Sequence, residues 1–213
     1  MAWDEENYDE VLRLAKDGVV HDAKFSGLVS DWREWECQVY NHIGDNDNTL
    51  QLDRFFFFSG GKWGDGRFST ENMYQKMKTL VPSNQWTNHV KSLISESASK
   101  NDYGHLLFIY TQEKMWERFM EYIRRNPYTY IIDDSPKEMK ELYKDEIIQL
   151  YSTSVRDFFQ FASNRNLYRE GVGLLQNLIK YGGRSEANKI IIEQKSRTPR
   201  RPALIDELSR LKI

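Results

Sequence analysis

The sequence predicts an all-α protein, a single domain over residues 1–213 built from stacked antiparallel helical hairpins (an α-α superhelix, or α-solenoid). Three observations predict it. Apolar residues recur at steps of three and four in segment after segment, the period of a helix with one buried face. The interruptions carry helix-end chemistry: Ser, Asp, Gly and Pro at the boundaries. The period-2 alternation of strands is missing even where β-favouring residues gather. A closed helical bundle is the alternative all-α arrangement.

The first stripe is Tyr8, Val11, Leu12 and Ala15, with Asp4 expected as N-cap, Trp3 and Tyr8 as a hydrophobic staple, and Gly18 as the stop. Phe25, Leu28, Val29, Trp32, Trp35, Val39 and Ile43 follow and end at Gly44. A third helix is expected over 50–58. After it, residues 59–68 form a connector holding Gly60, Gly61, Gly64 and Gly66, the strongest break in the chain. Tyr74, Met77 and Leu80 then share a face, and Pro82 restarts the chain before the stripe Trp86, Val90, Leu93 and Ile94.

Segment 106–110 and the stripe Trp116, Phe119, Met120 and Ile123 supply two more helices. Ser135, Pro136 and Glu138 have the spacing of a capping box. Beyond them the period runs from Met139 to Phe159, with a break expected at Ser152, Thr153 and Ser154. Tyr168, Val172, Leu175 and Ile179 end at Gly182 and Gly183, Ser185 is the expected cap of the next helix, and Pro202 opens the last. Segments 106–110, 128–132 and 190–192 favour strands in composition, but they lie among helices and do not alternate.

Composition limits the chemistry. The chain carries 6 Trp, 12 Tyr and 11 Phe, and each buried ring removes roughly 150–250 Å² from water, enough for a real core. Lys+Arg 30 against Asp+Glu 32 leaves a formal net charge of -2, so no whole-protein field draws in nucleic acid or an anionic membrane. No apolar run approaches the roughly 20 residues of a membrane span. The start is acidic where a secretory leader would be basic and then apolar, and a cytoplasmic location is expected.

Cys37 is the only cysteine. It allows no disulfide within the chain and no cysteine-based zinc site, and its helix suggests a core position. His21, His42, His89 and His105 lack the spacing of a metalloprotease helix. The run Asp45, Asn46, Asp47, Asn48 lacks the Gly and Glu of a calcium loop and reads as a turn and N-cap cluster. The glycine connector lacks a phosphate-loop pattern. The sequence therefore predicts no catalytic residues, no metal and no cofactor.

Some phrases carry a family resemblance. Tyr74, Lys78, Leu80, Pro82 and Trp86 fit a "YxxLKxLxPxxxW" element with Met77 at the Leu position. Ile109, Tyr110, Glu113 and Trp116 fit "IYxxExxW". Tyr168, Arg169 and Glu170 lead to Gly182, Gly183 and Arg184, and the chain closes on Arg200, Arg201, Pro202, Ala203, Leu204 and Asp206 to Leu208. This succession, over roughly 55–211, resembles the helical, TPR- or HEAT-like region after the zinc finger of bacterial SWIM zinc-finger proteins. The finger needs a CxC…CxH ligand set that a lone Cys37 does not supply. The resemblance thus implies a bacterial helical-repeat scaffold without a metal site.

The function expected is non-enzymatic: a helical-repeat module whose concave or grooved face meets an unknown protein partner, with no membrane role. Nucleic acid is the alternative partner, through the C-terminal arginines. The candidate binding residues are Trp63 on the glycine connector and Arg124, Arg125, Arg200 and Arg201.

Overall fold

In the computed structural model, which describes residues 6–59 and 68–211, the apolar stripes become thirteen helices and no strand forms among the described residues. The chain divides into two units, Met1–Ile109 and Tyr110–Ile213. The first holds α1 (Tyr8–His21), α2 (Ser26–Ile43), α3 (Asn46–Ser59), α4 (Thr70–Leu80) and α5 (Ser83–Ser99). The division falls within α6 (Tyr103–Gln112). The second holds α7 (Trp116–Arg125), α8 (Thr129–Asp134), α9 (Lys137–Leu142), α10 (Lys144–Phe161), α11 (Arg165–Lys180), α12 (Arg184–Ser196) and α13 (Pro202–Ser209).

In the first unit, neighbours in sequence are neighbours in space: α1 packs on α2, α2 on α3, and α3 on α4. The α3–α4 contact is aromatic and sulfur-rich, with Phe56, Phe57, Met73, Tyr74 and Met77 all buried. Tyr74 meets Phe57 at 6.0 Å and presents an edge to Trp86 of α5 at 5.3 Å. His105 of α6 ties the end of α3 to its own helix, donating from Nε2 to the Phe57 carbonyl at 2.6 Å while Nδ1 meets Asp102 Oδ2 at 2.6 Å.

The second unit gathers around α11, which packs on α10, α12 and α13. Ile147, Tyr151, Val155 and Phe159 of α10 face Leu175 and Leu178 of α11 in its core. Asp133 on α8 supplies a polar knot: its carboxylate accepts from Tyr151 Oη at 3.1 Å, Asn177 Nδ2 at 3.3 Å and Tyr181 Oη at 2.5 Å. Burial pushes both phenols up, and the nearby carboxylate adds to it.

Segments 106–110 and 190–192 are helical for a legible reason, and segment 128–132 is helical from Thr129. Leu106, Ile109 and Tyr110 are buried at i, i+3 and i+4, and Ala187, Ile190, Ile191 and Gln194 at i, i+3, i+4 and i+7. Packing of one helical face outweighs the β preference of single residues.

Several helix ends differ from expectation. Asp4 and Trp3 lie outside the described residues, and Asn7 caps α1 by accepting from the Glu10 N–H at 3.2 Å. Gly18 does not stop α1, which runs on to His21; the glycine is buried against the Trp32 ring. Ser135 forms no capping box, because its hydroxyl donates back to the Ile132 carbonyl at 2.7 Å and Pro136 takes the cap position of α9. Gly183, not Ser185, precedes the first residue of α12, and Pro82 stands one residue ahead of α5.

The hydroxyls of Ser152, Thr153 and Ser154 bond to carbonyls three or four residues back, so α10 continues through them, and the break falls at Tyr143 instead. Ser154 Oγ also donates to the Pro127 carbonyl. Gly44 (φ 74°) ends α2 in the left-handed conformation, and Pro202 begins α13, both as expected. Asp45 caps α3 by accepting from the Asn48 N–H at 3.1 Å. No helix among the described residues is long and apolar enough to cross a membrane.

A Cβ on Gly18 would overlap the Trp32 ring. That ring is fixed by Nε1 donating to Asp22 Oδ2 at 2.7 Å and cannot swing aside cheaply. Gly18→Ala is therefore expected to destabilise the protein by about 1–2 kcal/mol in urea unfolding, overpacking outweighing the better helix propensity of alanine.

Candidate functional site

Of the five residues singled out from sequence, Trp63 lies outside the described residues. Arg124 and Arg125 close α7, and Arg200 and Arg201 stand just before α13. Two of these four arginines are engaged in the fold. Arg124 is bidentate to Glu146, at 2.6 and 3.0 Å, and reaches Glu117 at 2.6 Å. Those carboxylates hold its guanidinium further up and are themselves held below their usual range. Arg201 Nη1 donates to the Phe159 carbonyl at 2.7 Å, tying the approach of α13 to the end of α10.

The closing phrase is structural in other residues too. Leu204 and Leu208 are buried. Glu207, also buried, forms an ion pair with Arg165 at 3.4 Å and accepts from Arg169 at 3.3 Å, both on α11.

Arg125 is different. Exposed at the end of α7, it has no acidic partner among the described residues, and the chain then turns through Pro127 into an exposed aromatic pair. Tyr128 and Tyr130 are 56% and 62% exposed, and their rings stack at 5.7 Å with an interplanar angle of 16°. Residues two apart within a helix do not face each other. These two meet because Tyr128 is the extended cap residue (ψ 132°) ahead of α8. The sequence reading missed them by placing both inside a β-favouring run, although Pro127 just before them marked the helix start.

The first unit offers a cleft of about 840 Å³ between α2 and α4, with Cys37, Gln38, Asn41 and His42 on one wall and Gln75 and Lys76 on the other. Cys37 is only 4% exposed. Burial pushes its thiol up to about 11, and Asp53 adds to this. Asn41 Nδ2 donates to the Cys37 carbonyl at 2.7 Å and approaches Sγ at 3.2 Å. A thiol held protonated in this way is a core group and not an activated nucleophile, in keeping with the sequence reading of Cys37.

Behind the cleft, α3 carries Asp53, 0% exposed, with neither carboxylate oxygen hydrogen-bonded. Thr49, Leu52, Asp53 and Phe56 form the buried stripe of α3, so the acid sits where an apolar residue is the rule. Burial pushes its carboxyl up to about 6, and the charge of Lys76 opposes the rise. Among the described residues, no group of three or more His, Cys, Asp or Glu side chains could hold a metal ion.

No family model matches the chain, and no curated protein or solved structure matches it.

Asp53 gives a signed pH dependence. A carboxyl that ionises near pH 4 when unfolded and about 6 when folded binds its proton more tightly in the native state, so its effect on stability worsens as pH rises through that window. Between about pH 4 and pH 7 the wild type should lose roughly 2 kcal/mol relative to Asp53→Asn. Paired urea titrations across that range measure the difference and cancel the contributions of the other carboxylates.

Proposed function

We propose that the chain is a non-enzymatic helical interaction scaffold, and that it meets a protein partner at the patch of Arg125, Tyr128 and Tyr130. The observation that carries this reading is the stacked, exposed tyrosine pair, which follows within five positions an exposed arginine with no acidic partner among the described residues. Tyr and Arg are the residue types that dominate binding energy at protein interfaces. Two rings already stacked on each other also lose little side-chain freedom when covered. The partner is a protein segment that lays an apolar side chain on the rings and an acidic one against Arg125.

Nucleic acid is the lesser reading. Arg124 and Arg201 are held by carboxylates and a backbone carbonyl of the fold, which leaves Arg125 and Arg200 of the four for phosphates. The cytoplasmic location and the kinship with the helical region of bacterial SWIM zinc-finger proteins belong to the same proposal. The kinship rests on the sequence phrases quoted above.

The test is affinity capture from the native cell with three baits: wild type, Tyr128→Ser/Tyr130→Ser, and Phe161→Ser, which changes an exposed ring on α10. A protein retained by wild type and by Phe161→Ser, but lost or reduced at least tenfold with the double variant, is the expected result. An identical set of proteins on all three baits would contradict the proposal.

A further inference from the structure

Lysines from three helices of the second unit converge on one pocket of about 520 Å³: Lys137 and Lys140 from α9, Lys144 from α10 and Lys180 from α11, with Tyr181 and Ile147 in its wall. One acid, Glu141, accompanies them. In a chain whose formal net charge is -2 this is a local excess of positive charge.

The convergence follows from specific contacts. Tyr181 is anchored by its hydroxyl donating to Asp133 Oδ1. Lys140 Nζ lies 5.3 Å from the centre of the Tyr181 ring and donates to the Asp133 carbonyl at 2.8 Å. The next residue, Gly182, turns the chain at φ 93°, and a Cβ there would stand 2.9 Å from Lys144 Cε and 3.2 Å from its Nζ. The side chain of Lys144 thus lies across the Gly182 backbone, and two ammonium groups are brought to adjacent residues, Tyr181 and Gly182.

Lys180, which ends α11, is held to Asn177 Oδ1 at 3.3 Å, and Lys137 stands at the rim, 3.6 Å from Glu141. No acid among the described residues lies within ion-pair distance of Lys144.

Like charges held together repel, and an anion between them relieves the repulsion. Lysine ammoniums act as compact point charges with rotatable donors, suited to phosphate oxygens without the planar demand of arginine. The pocket volume falls within the ordinary range for small ligands, and the Tyr181 ring with Ile147 gives an apolar wall for the rest of the molecule. We propose that this pocket binds a small molecule carrying two or more linked phosphate groups, its phosphates on Lys140 and Lys144 and its outer oxygens on Lys137 and Lys180. The site shares no lining residue with Arg125, Tyr128 and Tyr130 and does not rest on the scaffold reading.

The test is calorimetric titration of the full chain with pyrophosphate and tripolyphosphate at low salt, with citrate and a single-stranded oligonucleotide in parallel. The phosphate chains should bind, weaken as salt rises, and lose at least tenfold in affinity with Lys144→Gln, whose side chain is exposed and makes no hydrogen bond or ion pair among the described residues. Lys91→Gln on α5 should leave binding unchanged, and unfolding curves of both variants should overlay the wild type. Absence of phosphate-chain binding, equal loss in the two variants, or citrate binding as tightly would overturn the proposal. So would oligonucleotide binding that pyrophosphate does not displace.

Discussion

Both units are held by a ring seated on a glycine where two helices meet. In the first, Trp32 of α2 lies on Gly18 of α1. In the second, Phe159 of α10 lies on Gly171 of α11, where a Cβ would stand 2.5 Å from the ring. Glycine in a helix interior costs about 0.5–1 kcal/mol in propensity relative to alanine. That cost is offset because the missing side chain lets the ring lie directly on the helix backbone, Phe159 fully buried and Trp32 half-buried. The contacts around each ring then follow. Trp32 is pinned by Asp22, and the carbonyl of Phe159 receives Arg201, which leads the chain into α13.

The helices themselves were largely legible in the sequence, because a buried face at 3.6-residue spacing leaves its mark on every turn. Segment 106–110 has residues that favour strands, yet it stands among helical stripes and buries Leu106, Ile109 and Tyr110 on one helical face. The ends were less legible. A cap is decided by one hydrogen bond, and Ser135 had an equally good local acceptor in the Ile132 carbonyl. Gly18 read as a stop because its packing role depends on Trp32, fourteen positions away, and spacing within one helix cannot reveal that.

The candidate sites were legible only in part. Arg125 was singled out for its charge, whereas the stack of Tyr128 and Tyr130 that follows it needs the extended cap geometry ahead of α8. Arg124 and Arg201 carry the same charge but serve the fold, through carboxylates and a carbonyl distant in sequence. The lysine pocket depends on the packing of α11 on α10, which sets Lys180 and the turn at Gly182 beside the lysines of α9 and α10. Asp53 was not singled out from the sequence, and its lack of a hydrogen-bond partner emerges only with the fold in place.

The dependence on ring-and-glycine contacts is tested most directly by a double-mutant cycle at Gly171 and Phe159, followed by urea unfolding. Gly171→Ala should be clearly destabilising in the wild type and cost much less in a Phe159→Leu background, where the ring that the new methyl would strike is gone. The two changes should couple by at least about 1 kcal/mol. Additive effects, with Gly171→Ala costing the same in both backgrounds, would contradict the account.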